Sequence, residues 1–154
     1  MAATGRVLEA SMQLEQHVTA APSRLPGDTT HERRFRRAPE SISEVRRFVK
    51  EVYADLDQDP MVCVLLVSEA ATNAVRHAQG ADFKVRITTP DMRVEVWDAS
   101  HVVPIPMGTP RPGAESGRGL GLIGRLSSGM QWSLDATGKT LTFTPASEDV
   151  SWAM

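Results

Sequence analysis

The sequence has a single cysteine and almost no net charge, and these two shortages exclude several classes of protein. Cys63 has no second cysteine to pair with, which excludes an intrachain disulfide framework and a metal site built from several thiolates. Seventeen basic and 19 acidic side chains give a formal net charge of -2, so no global positive field attracts nucleic acid. We therefore expect no direct nucleic-acid partner.

Long apolar runs are also lacking. No stretch approaches the roughly 18 apolar residues that a membrane-spanning helix needs. The first residues include Glu9 and Glu15 and lack the apolar core of a signal peptide. We therefore expect a cytoplasmic protein with no membrane partner. With 154 residues and 41% hydrophobic content, the chain is large enough for one domain with a substantial core and too small for two.

The order of periodic and irregular segments predicts one domain between two tails. Residues 1–32 show no sustained period and end in turn formers, which predicts a mobile N-terminal tail. Residues 33–145 form the predicted domain, and residues 146–154 a C-terminal tail. The expected elements are a strand near 34–37, helices over 41–56 and 60–78, strands over 82–89 and 92–98, a helix over 117–126, and strands over 130–135 and 139–144.

Local signals mark the ends of the first two predicted helices. Ser41 is followed three residues later by Glu44, which matches a capping box at the start of the first helix. Asp59 and Pro60 are typical of the start of the second helix, and Gly80 is typical of its end.

The second helix carries Glu69, Asn73 and His77 at intervals of four, which places them in a row along one side. The opposite side forms the predicted core stripe of Val64, Val67, Ala71, Val75 and Ala78. Such a polar row often simply faces water. Here Val62 and Leu66 precede it on the same side, so this face changes from apolar to polar along the helix. An aligned carboxylate, amide and imidazole could ligate a divalent cation and position a water or hydroxyl.

The second strand of the first predicted hairpin ends in an acid. Asp98 shares the parity of Met92, Val94 and Val96, which puts it on the apolar face, where a carboxylate needs a hydrogen-bond donor. It is either a turn-initiating residue or a fixed acceptor at the floor of a pocket, suited to a heterocycle with an amino group. The following loop, residues 99–116, holds four prolines and two glycines and could act as a lid, which favours the pocket.

The segment ESGRGLGLIG places Gly117, Gly119 and Gly121 at alternate positions, followed by Gly124, at the start of a predicted helix. Glycine costs roughly 1 kcal/mol relative to alanine inside a helix, so this pattern needs a reason. One reason is a phosphate held by backbone N–H groups at the helix start, with Arg118 adding a charged contact. The alternative is a flexible hinge or close helix packing.

Taken in order, five features resemble the GHKL ATPase superfamily: E-x-x-x-N-A-x-x-H on a helix, an aspartate ending a strand, a long Pro/Gly lid, the G-R-G-L-G-L segment and the closing K-T-L-T-F-T strand. Within it, the chain is similar to the small anti-sigma factor serine kinases of bacteria and their actinobacterial relatives, over residues 33–145. The resemblance implies a Bergerat-type α/β two-layer sandwich. Its sheet would be mixed and mostly antiparallel, with helices on one face, and ATP and Mg²⁺ would lie between the layers.

The resemblance also implies a role for each matching residue. Glu69 would be the general base that activates an acceptor serine, and Asn73 would hold the Mg²⁺. Asp98 would accept from the adenine amino group, Thr140 would help to bind adenine through water, and His77 would have a supporting role. The segment that would hold the phosphates comprises Gly117, Arg118, Gly119, Leu120 and Gly121.

The activity implied by the resemblance is that of a regulatory serine kinase. Such a protein binds a sigma factor and phosphorylates a STAS-type anti-anti-sigma protein, and it could form a homodimer. One departure is that Ala99, Ser100 and His101 follow Asp98, where the superfamily usually has Asp-x-Gly-x-Gly. This departure favours an alternative, a switch that binds ATP without catalysis. A fragment of a sensor histidine kinase is disfavoured, because no long helix pair with a phosphoacceptor histidine precedes the domain.

Overall fold

The computed structural model describes residues 27–104 and 115–147, except for the side chains of residues 115–118. Five strands and three helices lie within these ranges. In chain order they are β1 (Thr29–Arg36), α1 (Ser41–Ala54), α2 (Met61–His77), β2 (Asp82–Thr89), β3 (Arg93–Asp98), α3 (Glu115–Leu126), β4 (Ser127–Leu134) and β5 (Lys139–Pro145). None of these helices has the length and apolar character that crossing a bilayer would require.

The five strands form one open sheet in the order β1-β2-β3-β5-β4, and the three helices cover one of its faces. The predicted two-layer α/β sandwich is therefore confirmed. All four strand pairings are antiparallel, so the described sheet is not mixed as the resemblance implied. The pairing of β3 with β5 places the ends of these two strands side by side at the centre of the sheet.

Alternation along the strands fixes which side chains meet the helices. In β3, Val94 and Val96 are buried, and in β5 Leu141 and Phe143 are buried on the same face. The aromatic ring of Phe35 in β1 stacks on Phe83 in β2 with ring centroids 5.5 Å apart. These residues form the sheet side of one continuous core, which the apolar faces of the helices complete.

Helix α2 is buried on two sides, which explains why its sequence is apolar beyond one stripe. Val67 and Ala71, on the predicted core stripe, are fully buried, as are Leu66 and Ala70 on the neighbouring side. Asp59 starts the helix as predicted, since its Oδ1 accepts from the Met61 N–H at 2.8 Å. The polar row therefore begins next to buried residues and becomes more exposed along the helix, with Glu69 and Asn73 half-buried and His77 exposed.

Two local expectations differ from the structure. The first strand begins at Thr29, so residues 29–32 belong to the sheet and not to the predicted tail, of which residues 1–26 lie outside the described part. The expected capping box is not formed, because Ser41 is already the first residue of α1 and the preceding Glu40 makes no side-chain bond to the helix. A side-chain cap is present at the end of α2, where Arg37, from the β1–α1 connection, donates to the Val75 carbonyl at 2.9 Å.

Candidate functional site

A cavity of about 270 Å³ lies between α2, α3 and the sheet, at the ends of β3 and β5. Its walls are largely apolar and are formed by Ala70, Val96, Val102, Pro104, Leu120, Trp132 and Leu141. Its polar groups are few and are contributed by Asn73, His77, Asp98 and Lys139. A mostly apolar slot with a few fixed polar groups is the usual form of a site for a small organic ligand.

Helix α2 supplies the polar row to one wall of this cavity. Asn73 and His77 line it directly, one and two turns beyond the small Ala70, which leaves room for a ligand against the helix. Asn73 Nδ2 is buried and has no hydrogen-bond partner among the described residues. A buried amide left in this way costs about 1–3 kcal/mol. A bound ligand, or a water held by it, would remove this cost by accepting a hydrogen bond from Asn73.

Asp98 lies where its parity predicted, on the helix-facing side of β3, with 6% of its surface exposed. Its Oδ1 accepts from the Ser100 backbone N–H at 2.9 Å and from Lys139 Nζ at 2.8 Å. Lys139 is directly opposite Asp98 in the β3–β5 register and is 4% exposed, so the two charges form a buried pair in the cavity wall. The Lys139 ammonium also lies 5.8 Å from the Trp132 ring centroid.

The turn before β5 has room for glycine only, and it is this turn that sets Lys139 beside Asp98. A Cβ on Gly138 would lie 2.0 Å from the Asp98 carbonyl oxygen and 2.9 Å from Cα of Ala99. Asp135 stabilises the same turn, since its Oδ1 accepts from the Thr137 and Gly138 N–H groups. The hydrogen bond from the Thr137 hydroxyl contributes most to holding the pKa of Asp135 below its ordinary value.

Helix α3 lies close to Glu69 at Gly119, one of the glycines that the sequence analysis singled out. A Cβ on Gly119 would lie 2.7 Å from Glu69 Oε2, so the absence of a side chain here leaves space for the carboxylate. The adjacent Leu120 lines the cavity, whereas a Cβ on Gly121 would meet nothing within 4 Å. Glu69 is half-buried and faces Gly119 of α3, and the residues that follow these two in sequence, Ala70 and Leu120, line the cavity.

The structure brings most of the predicted residues together. Glu69, Asn73, His77, Asp98, Gly119 and Leu120 line the cavity or lie beside it. Only the helical backbone of Gly117 and Arg118 is described, and most of the expected lid lies outside the described part, so their roles stay predictions. Gly121 is at the surface of α3, and nothing in the described structure assigns it a contact.

Thr140 lies on the other face of the sheet, away from this cavity. It pairs with Trp97 across the β3–β5 register, and both face the side of the sheet that carries no helix. Alternation in β5 explains why Thr140 is not in the cavity. Leu141 and Phe143 face the helices, and residues two apart in a strand share a face, so Lys139 faces the helices and Thr140 faces away. The sequence reasoning missed Lys139, although its spacing of two from Leu141 was a signal for it.

The helix-free face of the sheet has a second, more polar cavity of about 210 Å³. There Arg86 donates to Glu32 Oε1 at 2.8 Å and lies 3.6 Å from Glu95 Oε2. The hydrogen bond from Arg86 is the main cause that lowers the pKa of Glu32. Three charged groups of this cavity, Glu32, Arg86 and Glu95, are thus paired across neighbouring strands, and none of the helices lines it.

No group of three or more His, Cys, Asp or Glu side chains within the described ranges is arranged to hold a metal ion. A cation in the cavity between the layers would therefore need ligand atoms from a bound molecule in addition to protein oxygens. Mg²⁺ bound with phosphates is held in this way, with one or two protein side chains and several waters.

Comparison with known families agrees with this geometry. A family model described as the histidine kinase-like ATPase domain matches residues 35–144, which is most of the chain. The chain therefore belongs to the histidine kinase-like ATPase domain family. Membership implies ATP binding and an activity of the kinase or ATPase type, in agreement with the two-layer fold. A search of curated proteins found no match.

Proposed function

We propose that the chain is a regulatory serine kinase and anti-sigma factor, which binds a sigma factor and phosphorylates a STAS-type anti-anti-sigma protein. The observation that carries the nucleotide part is the cavity in which Asn73, Asp98 and Leu120 of α3 meet. The kinase part is supported by Glu69, a carboxylate beside that cavity which no described salt bridge engages.

The adenine base would occupy the apolar slot between Ala70 and Leu120 on the helical side and Val96 and Leu141 on the sheet. Burial of a flat, weakly polar ring against these side chains supplies most of the affinity. The buried carboxylate of Asp98 would accept a hydrogen bond from the amino group of the base. The base would therefore point its amino group toward the end of the slot that holds the buried charges of Asp98 and Lys139.

The phosphates would extend from the slot toward the first turn of α3, where free backbone N–H groups and the helix dipole favour an anion. The Asn73 side chain could hold a cation there through its amide oxygen, which is a hard donor, whereas its buried Nδ2, without a partner among the described residues, calls for a hydrogen-bond acceptor. When bound, Mg²⁺ neutralises phosphate charge during transfer. Glu69 would accept the proton of the attacking serine hydroxyl, which needs a free carboxylate at this position.

Labelled phosphate transfer tests this proposal. Purified protein is incubated with Mg²⁺ and γ-labelled ATP, together with each STAS-domain protein of the source organism in turn. We expect label on a serine of one of them. Glu69→Gln should abolish transfer and leave nucleotide affinity unchanged, whereas Glu44→Gln, at an exposed position of α1, should transfer normally. Undiminished transfer by Glu69→Gln would reject the role of Glu69.

A switch that binds ATP without catalysis is the second candidate. It is favoured by the residues after Asp98, Ala99-Ser100-His101, which replace the glycines that usually follow this aspartate in the superfamily. In that case wild-type protein would bind Mg-ATP in calorimetric titration and would transfer no phosphate to any STAS candidate. The two assays together separate the candidates.

A further inference from the structure

Lys139 differs from the other lysines in its surroundings, because its ammonium is buried in the wall of the candidate nucleotide cavity. An ammonium has three donor hydrogens. Within the described part of the chain it donates to Asp98 Oδ1 alone, at 2.8 Å, and its other close neighbour is the Trp132 ring. Two donor hydrogens therefore have no acceptor among the described residues, although burying an unsatisfied charged group is costly.

The cavity consequently presents an acceptor and a donor side by side. Asp98 and Lys139 occupy opposite positions in the β3–β5 register, so their side chains leave the sheet next to each other on one face. Both line the cavity. A ligand that met Asp98 alone would leave the ammonium donors unpaired. A ligand with a donor and an acceptor on adjacent atoms would satisfy both.

Adenine has this pair on one edge, with the exocyclic amino group as the donor and ring nitrogen N1 as the neighbouring acceptor. We propose that Lys139 is a base-reading residue that donates to N1 while Asp98 accepts from the amino group. The recognition of adenine is then a two-point contact with protein side chains on both atoms. This inference rests on the proposed function, since it needs a nucleotide in the cavity.

A purely structural role for the pair is the competing explanation. A buried ion pair, however, is often no more stabilising than apolar residues of the same volume, because desolvation of both charges offsets their attraction. The position also does not need a lysine for packing, since the neighbouring wall residues Val96 and Leu141 fill this side of the sheet with aliphatic groups. Donation to a ligand accounts for a charge here, and packing does not.

The test is a thermodynamic cycle between one protein group and one ligand atom. The affinities of wild type and Lys139→Met are measured by calorimetry for Mg-ADP and for 1-deaza-ADP, in which a C–H group replaces N1. Wild type should bind ADP roughly 10- to 100-fold more tightly than 1-deaza-ADP, because the analogue leaves a buried donor unpaired. Lys139→Met should bind the two nucleotides equally. Lys84→Met, on the helix-free face, is the matched control and should discriminate as wild type does.

The outcomes separate the inference from the proposed function. Equal binding of ADP and 1-deaza-ADP by wild type would overturn the role of Lys139 without the use of any variant. Discrimination that survives in Lys139→Met would also overturn it. If Lys139→Met does not fold, Lys139→Gln keeps an N–H donor without the charge and should retain part of the discrimination; full loss of discrimination in a folded Lys139→Gln would count against the inference. Failure of wild type to bind ADP at all would instead reject the proposed function.

Discussion

Gly119 in α3 approaches Glu69 in α2 so closely that a single added carbon would touch the carboxylate, 2.7 Å from its Oε2. The next nearest atom, Glu69 Cβ, would be at an ordinary distance of 3.5 Å. A side chain at position 119 therefore competes with the end of a flexible side chain and not with backbone. Gly119 therefore matters for where the Glu69 carboxylate lies more than for the stability of the fold.

Gly119→Ala should reduce phosphate transfer and leave the fold intact. The added methyl group displaces the Glu69 carboxylate, and a displacement of about 1 Å at a reacting group can cost about 100-fold in rate. Gly124→Ala, in the same helix, is the control, since its Cβ would make only an ordinary 3.8 Å contact with Met130 Sδ of β4. Transfer rates and thermal unfolding of both variants check this. A Gly119→Ala protein that transfers as fast as Gly124→Ala would contradict it.

The buried pair should be strongly coupled in stability. Lys139→Met leaves the Asp98 carboxylate buried without its cation, which should lower the free energy of unfolding by about 3–5 kcal/mol. The double variant Asp98→Asn/Lys139→Met removes both charges and should be more stable than Lys139→Met alone. Urea unfolding of wild type, both single variants and the double variant completes the cycle. Additive losses would show that the two side chains do not interact.

Cys63 should make the fold less stable in alkaline solution. Burial raises the pKa of this thiol from 9.0 to about 12. Between these two pH values the native state keeps its thiol proton while the unfolded state loses it, so the free energy of unfolding falls as pH rises, by at most about 1.4 kcal/mol per pH unit. Below pH 9 this contribution is fully present. Urea unfolding at pH 8 and 10.5 should show a smaller decrease for Cys63→Ala than for wild type, and equal decreases would contradict the assignment.

Thr140→Val should bind Mg-ADP as tightly as wild type, because Thr140 faces the side of the sheet away from the nucleotide cavity. Leu141→Ala, one residue further along β5, removes a wall of that cavity and should weaken binding about tenfold or more. Calorimetry on the two variants compares the two faces of one strand. A loss of affinity in Thr140→Val and none in Leu141→Ala would reverse the assignment of the faces.

The sequence predicted those parts of the fold in which periodicity and parity act over several residues. The alternation in β2 and β3 placed Asp98 on the buried face, and the apolar start of α2 indicated that the row with Asn73 and His77 does more than face water, since both line the cavity. Both patterns reflect which face of an element meets the core, and burial of apolar area dominates that choice. The start of β1 at Thr29 was missed because HERRFRR alternates poorly, and its pairing with β2 overrides its weak local signal.

The site was predicted in part, and its errors have a physical cause. Thr140 was assigned by resemblance, although Leu141 and Phe143 fix the parity of β5 and so turn Thr140 away from the helices. Lys139 was missed because a lysine is rarely buried, and only the register with Asp98 shows that it has a partner. The approach of Gly119 to Glu69 depends on how α2 and α3 pack, which local periodicity does not specify.

The measurement that tests the central claim most directly is calorimetric titration of the folded protein with Mg-ADP, in parallel with Asn73→Ala and Asp98→Ala. The account predicts one ADP per chain for wild type and an affinity at least about tenfold weaker for each variant, since each loses a polar contact in the cavity. Native circular dichroism spectra of all three proteins are the control for folding. No binding of ADP or ATP by folded wild type, or equal binding by all three proteins, would contradict the claim that this cavity holds an adenine nucleotide.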